Sequence, residues 1–448
     1  MASAAEQLAA NINIKAFAKA EDLKKRIWFT LGVLIVYRLG TYIPLPGINP
    51  AVMAEFAKSH GGGIFGMVDM FSGGALSRMS IMALNIMPYI SASIIVQLMT
   101  AIVPTFEALK KEGESGRRKL NQYTRYLTVF IAVLQSYGAA VGLESLQGAA
   151  GSAVVDPGYF FRLTTVVTIV GATLFLMWLG EQITSRGIGN GISLVIFAGI
   201  VANLPSSIIN ALELGRTGAL SYLFILFILI FSIGMMAFIV FMERAQRRVL
   251  IQYPKRQVGN KMFGGDSSHL PIKLNSTGVI PPIFASSLLL LPISIAQFSS
   301  AGSGPEWLQW ILGSLHKGGA FYICLYLFLI VFFAFFYTSI VFNPQETAEN
   351  LKKNGGFIAG YRPGKNTADY LDTLITRLTV MGAAYLAFVC AVPEFFYAAY
   401  ALPFYLGGTT FLIAVSVPMD TVAQIQSHLL AHQYEGLLKK TRLKGARK

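Results

Sequence analysis

LSYLFILFILIFSIGMMAFIVF, residues Leu220–Phe241, runs for twenty-two positions without a charge. At 1.5 Å of rise per residue a helix of that length reaches about 33 Å, enough to cross the ~30 Å hydrocarbon core of a bilayer. Its apolar side chains do not alternate with polar ones as a barrel strand requires; they surround the helix on every side. Nine further blocks of the same kind occupy 27–43, 81–103, 123–143, 160–179, 188–212, 279–298, 321–342, 374–392 and 404–430. The composition agrees. The chain is 54% hydrophobic and 13% charged, whereas soluble domains carry roughly 25% charged residues. The sequence therefore reads as an all-α membrane protein with ten transmembrane helices.

Lysine and arginine orient it. With the N-terminus cytoplasmic, 30 of the 36 basic residues fall on the cytoplasmic side, and only Arg38, Lys58, Arg78, Arg162, Arg216 and Lys317 do not. That bias predicts both termini inside and an even number of spans. It also concentrates the net charge of +14 on one membrane face, where anionic lipid, RNA or an acidic partner could meet it. The chain divides into a cytoplasmic N-terminal segment (1–25), an N-terminal half with spans one to five (26–213), a C-terminal half with spans six to ten (214–430) and a basic cytoplasmic tail (431–448). The first segment has no apolar core, so it is not expected to be a cleaved signal.

Five spans per half would place related halves in opposite orientations. Ile86-Met-Pro88-Tyr-Ile90-Ser-Ala92-Ser93 and Val279-Ile-Pro281-Pro-Ile283-Phe-Ala285-Ser286 share proline, isoleucine, alanine and serine at one offset. They lie in the equivalent span of each half. Inverted repeats put a transport path at the interface between halves.

Between spans one and two, Gly61-Gly62-Gly63 is followed by Ile64-Phe65-Gly66-Met67-Val68-Asp69-Met70-Phe71 and then Ser72-Gly73-Gly74. This apolar piece is too short to cross and has glycine at both ends. Backbone of that kind survives at membrane depth only where protein or a water-filled cavity covers it. Either a re-entrant half-helix or a loop on the outer surface fits. Two cytoplasmic loops, 243–273 and 343–373, exceed ordinary connections. They hold Lys255, Arg256 and Lys261 in one, and Lys352, Lys353, Arg362 and Lys365 in the other.

Catalytic and cofactor motifs are missing. Gly364-Lys365 is followed by Asn366 and lacks the earlier glycine of a phosphate loop. Gly187-Ile-Gly189-Asn-Gly191 lacks the third glycine of a dinucleotide fingerprint, and His428 and His432 enclose no glutamate. Cys324 and Cys390 sit in apolar blocks, as packed thiols do. The spans show no embedded carboxylate, which speaks against an ion-coupled transporter. No cofactor, no metal and no enzymatic activity are expected. Isolated polar groups do occur: Ser91 and Ser93, Gln135, Asn275 and Ser276. They are either ordinary interhelical glue or a seam that opens. Ile86/Ile90 and Ile192/Ile196 are i,i+4 pairs, each sharing a helix face; Ile283 and Ile413 follow a proline and a Gly-Gly break.

Lys110-Lys-Glu-Gly-Glu-Ser-Gly-Arg-Arg-Lys119, Gln122-Tyr-Thr-Arg-Tyr126, Met70-Phe-Ser-Gly-Gly-Ala-Leu-Ser-Arg78, Met87-Pro-Tyr-Ile-Ser-Ala-Ser93, Trp178-Leu-Gly-Glu-Gln-Ile183, Gly187-Ile-Gly-Asn-Gly-Ile-Ser193 and Phe342-Asn-Pro-Gln-Glu-Thr-Ala348 together resemble the SecY family in its bacterial form. These are the central channel subunits of the protein translocase. The resemblance covers the chain from about residue 20 to the basic tail. It implies two inverted five-helix halves and a pore ring of Ile86, Ile90, Ile192, Ile196, Ile283 and Ile413. It implies a plug near 63–74, with Ile64, Phe65, Met67, Asp69, Met70 and Phe71. Spans two and seven would form a lateral gate carrying Ser91, Gln135, Asn275 and Ser276. Lys255, Arg256, Lys261 and Arg362 would meet the SecA ATPase or the ribosome. Further implied partners are SecE and SecG, accessory SecDF and YidC, secretory polypeptides as substrate and anionic lipid of the inner membrane. The chain departs from the family at Val258-Gly-Asn260-Lys261, where relatives often carry paired arginines.

Overall fold

The computed structural model describes residues 20–60, 69–148, 151–218, 221–253, 256–258, 261–263, 267–298, 319–400 and 407–445. The expected plug residues Ile64, Phe65 and Met67, together with Lys255 and Asn260, lie outside them. Helix forms over every apolar block: α1 Glu21–Gly40, α2 Pro50–His60, α3 Met87–Ile102, α4 Pro104–Lys111, α5 Glu114–Ser145, α6 Tyr159–Arg186, α7 Gly191–Arg216, α8 Tyr222–Arg244, α9 Ile280–Phe298, α10 Ala320–Val341, α11 Pro344–Lys353, α12 Lys365–Tyr400 and α13 Gly408–Gly445. Among the described residues seven helices are long and apolar enough to cross a membrane, and an eighth is added if α3 and α4 count as one bent span. The bend is 97° and its cause is local. Pro104 opens α4, and Val103 before it is extended at φ −101° and ψ 118°, as the residue preceding a proline prefers.

The outer surface of the bundle is greasy. Tyr159 is 88% and Phe160 80% exposed, and only 11% of the most apolar stretch of α8 is buried. Water would not tolerate so much contiguous apolar surface, whereas lipid requires it. Inside, α3 packs on α5, α5 on α6, α6 on α7, and α1 on both α6 and α7. Further along the chain α9 packs on α10, α10 on α12, α12 on α13, and α8 on α13. These two groups meet along two seams: α9 against α3 and α5, and α7 and α1 against α13. The largest apolar core lies where they meet.

Three features depart from the sequence expectations. The chain is not purely helical. β3 Gln246–Gln252 pairs antiparallel with β6 Ser267–Lys273 and with β7 Phe357–Ile358, so the two long loops share one sheet; β1 Gln147–Gly148 pairs with β2 Gly151–Ser152, and β4 Arg256–Val258 with β5 Lys261–Phe263. The block at 81–103 is helical only from Met87, and residues 81–86 form turns. A carboxylate also lies inside: α12 continues past Pro393 to Tyr400 and buries Glu394 to 2% exposure.

Candidate functional site

Four helix starts aim isoleucines into the main core. Ile86 is the N-cap of α3, held by Pro88 in its first turn, and Ile90 follows one turn later. Asn190 caps α7: its side-chain oxygen accepts from the backbone N–H of Ile192 and of Ser193 at 3.2 and 3.5 Å. That bond satisfies two orphan donors and fixes where Ile192 and Ile196 point. Ile283 lies in the first turn of α9 and Ile413 in the second turn of α13. Ile86, Ile90, Ile196 and Ile413 are buried members of one apolar cluster, and Ile192 and Ile283 pack against it partly buried. Ile86, Ile90, Ile196 and Ile283 line a cavity of about 10 Å³ together with Phe71, Asn85, Met87, Ser286 and Ser287. That is room for about one water.

Met70 and Phe71 belong to the same cluster, and Phe71 lines the cavity. Residues 69–72 are helical, and the helix stops at Gly73. Gly73 has φ +70°, the left-handed conformation in which glycine ends helices. The N–H of Gly73 donates to the Met70 carbonyl and that of Gly74 to the Asp69 carbonyl, at 3.3 and 2.9 Å. Side chains from outside add further donors, and Asp69 O, which also accepts from Ser72 Oγ at 2.9 Å, takes one of them. Asn203 Nδ2 donates to Asp69 O at 3.2 Å, Asn85 Nδ2 to Phe71 O at 2.7 Å and the Tyr37 hydroxyl to Ser72 O at 3.3 Å. Gly73 O accepts from Arg38 Nη1 and Arg78 Nη2 at 3.0 and 3.1 Å. Both guanidinium groups also lie over the Tyr42 ring. Arg38 thus reaches this turn as well as the outer surface. The Asp69 side chain accepts from the Ser77 N–H at 2.7 Å; burial pushes its carboxyl above the usual range, against the opposing pull of Ser77 and Arg78. Thr410 of α13 donates to the Met70 sulfur at 3.6 Å.

The polar residues expected at a seam are only partly gathered there. Helices α3 and α9 touch. Ser91 is buried in α3, and Gln135 Oε1 of α5 has no partner among the described residues. Asn275 turns elsewhere: its Nδ2 donates to Glu243 Oε1 at 2.7 Å, tying the start of α9 to the end of α8. Ser276 is exposed and bonds within its own turn to Lys273 O. Ser286 and Ser287 are the buried polar residues of α9 beside the cavity. On the loop side, Arg362 is exposed between β7 and α12, while Arg256 and Lys261 fall within β4 and β5.

A family model for SecY matches residues 80–422. The protein translocase subunit SecY of Rickettsia felis is 54% identical over 423 residues, which are 94% of this chain and 97% of that protein. Its Escherichia coli K12 counterpart is 53% identical over 424 residues, 95% and 96% of the two chains. The chain belongs to the SecY family. Solved structures share the fold. One described as the structure of a protein conducting channel has a TM-score of 0.61 at 19% identity, over 90% of this chain and 92% of that one. Another, reported to show that the SecY plug domain stabilises the closed state of the translocation channel and maintains a membrane seal, has 0.60 at 20% with the same coverage. Sec61 in the canine ribosome-channel complex has 0.58 at 18%, again over 90% and 92%. This SecY-family chain carries two site residues that its sequence did not announce, Asn85 and Asn203. Asn85 has φ +50°, a conformation that asparagine adopts far more readily than other side chains, and an asparagine just before a proline-led helix was the one available signal.

Proposed function

We propose that this chain is the channel through which its translocase passes unfolded secretory polypeptides across the bacterial inner membrane, releasing apolar segments sideways into the bilayer. It is a channel subunit and not an enzyme. In this reading all ten apolar helices cross, as two inverted five-helix halves with both termini cytoplasmic. Ile86, Ile90, Ile192, Ile196, Ile283 and Ile413 form the waist, the segment near 63–74 is its plug, and α3 and α9 are the lateral gate. What carries the reading is the convergence of those six isoleucines, from four helix starts on both groups of helices, on one apolar cluster that also holds Met70 and Phe71.

The chemistry follows from the lining. A chain in transit carries unpaired backbone groups, each costing several kcal/mol in lipid. The passage must therefore be wet above and below a narrow place. Apolar side chains at that place hold passing residues weakly and seal by dewetting when it is empty. Branched isoleucine has few rotamers, so a ring of it closes to a defined width. A signal segment, apolar over about 7–15 residues, gains by leaving between α3 and α9. The free energy for transport comes from outside: SecA hydrolysing ATP, or a translating ribosome, docked on the loops carrying Lys255, Arg256, Lys261 and Arg362. SecE and SecG complete the membrane complex, with SecDF and YidC as accessories. The relation to Sec61, solved in a ribosome-channel complex, supports the ribosome.

A secretory precursor stalled in transit tests this. Photo-crosslinking probes at Ile90 and Ile283 are expected to capture the translocating chain at both positions. Capture of lipid alone at both would remove the pore ring.

A further inference from the structure

A helix that ends at Gly73 leaves its last carbonyls without intrahelical donors. Here they are not left to water. The two asparagines that bond to this turn come from the helices that carry the isoleucines, one serving Phe71 O and the other adding to Asp69 O, which the Gly74 N–H also serves. Asn85 immediately precedes Ile86 at the start of α3 and donates to Phe71 O. Asn203 lies on α7 two turns beyond Ile196, hence on the same face, and donates to Asp69 O. The two bonds span 14 and 134 residues of chain. Asn85 is 2% exposed and held in a left-handed conformation that few other residues adopt.

We infer that Asn85 and Asn203 are positioning residues that latch the plug's last turn to α3 and α7, and that separation of those two helices releases it. The inference rests on the channel reading above. Its physical basis is the short reach of a hydrogen bond. Bonds of 2.7 and 3.2 Å fail once donor and acceptor part by about another 1 Å. A segment wedged among Ile86, Ile90, Ile192 and Ile196 pushes α3 and α7 apart by more than that. Both amides cannot then stay on one turn, so widening of the waist is transmitted directly to the plug. The latch sets the threshold: the more bonds it makes, the more apolar a signal segment must be to open the path.

The test uses the complete translocase in vesicles. Asn85→Gly keeps the left-handed backbone and removes the amide; Asn85→Asp keeps the shape and replaces the donor with an acceptor; Asn203→Ala removes the second amide. Loss of one such bond changes the ratio of released to seated plug about five-fold, so each variant is expected to raise resting ion conductance by that order. The double variant Asn85→Gly/Asn203→Ala should raise it further. Translocation of a precursor whose apolar core is trimmed to about seven residues should gain more than that of the intact precursor. Asn85→Asp behaving like Asn85→Gly identifies the donor as the cause. A lowered melting temperature with unchanged conductance and unchanged signal preference in all variants would overturn the latch, leaving only a structural role. Deletion of 64–71 separates the two ideas: leakage on deletion but not in the variants removes the latch alone, whereas no leakage on deletion removes the plug itself.

Discussion

Gly199 lies in α7, and a Cβ built there would stand 2.6 Å from the Phe71 carbonyl oxygen and 3.1 Å from the Tyr37 hydroxyl. Two effects of Gly199→Ala oppose each other. Alanine favours a helix interior over glycine by about 1 kcal/mol. Overpacking against backbone that cannot retreat costs about 1–3 kcal/mol. The steric cost is the larger, so the variant should melt at a lower temperature and leak ions at rest, because the plug's last turn is the part that must yield. A melting temperature at or above wild type, with an intact seal, would show the approach to be slack. The i,i+4 pairs Ile86/Ile90 and Ile192/Ile196 were legible as shared helix faces, while only the family resemblance grouped them with Ile283 and Ile413. Asn85 and Asn203 were not legible. A single amide in an apolar run looks the same whether it glues two helices or caps a distant turn, and the positive φ of Asn85 and its bond to Phe71 O are visible only in the fold. Arg38 was opaque for a similar reason: its sequence position says nothing of the Gly73 carbonyl that the fold brings within its reach.

At the scale of elements, the two basic loops are one object. Val249, Ile272 and Ile358 from the three strands bury against Leu371 and Leu378 of α12, forming a small core of their own. β3 shows why the sequence did not advertise this: Val249 and Ile251 are buried with Leu250 between them half exposed, an alternation too short to stand out beside Arg247 and Arg248. Its partner β7 is two residues long and about a hundred residues away, and so local pattern could not find it. The helices, by contrast, were readable because each carries its own period and its own length. Ile358→Asp puts a charge into that core and should cost the platform about 3 kcal/mol or more. Ribosome binding, measured by co-sedimentation, should fall about tenfold or more, while resting conductance stays unchanged. Arg362→Glu tests charge without disturbing the core, since Arg362 is exposed, and should weaken the same binding with no change in melting. If Ile358→Asp binds ribosomes normally, the shared sheet is not the docking platform.

For the whole molecule the decisive feature is that its two seams differ. On one side α7 and α8 are consecutive in sequence and touch each other, and α7 also packs on α13. Only residues 217–221 separate α7 from α8, so this side is stapled by the chain itself. On the other side α9 meets α3 and α5 far from them in sequence, and among the described residues Ser287 Oγ and Gln135 Oε1 are buried without partners. Two bodies joined along one edge part most readily along the other, and unsatisfied polar groups make that edge the cheaper one to wet. The order of spans and the basic asymmetry were readable from sequence, but which seam yields was not, because it depends on contacts between residues two hundred positions apart. A crosslink across the free edge gives the sharpest consequence. Met87 and Ser286 line the same cavity from α3 and α9. With Cys324 and Cys390 first replaced, cysteines at both sites joined by a short bifunctional reagent should abolish translocation. The same pair joined by a reagent longer than the width of an extended chain should restore it, because the two helices can then separate. Full translocation with the short link would mean that the waist widens without α3 leaving α9, and the sideways exit would have to be given up.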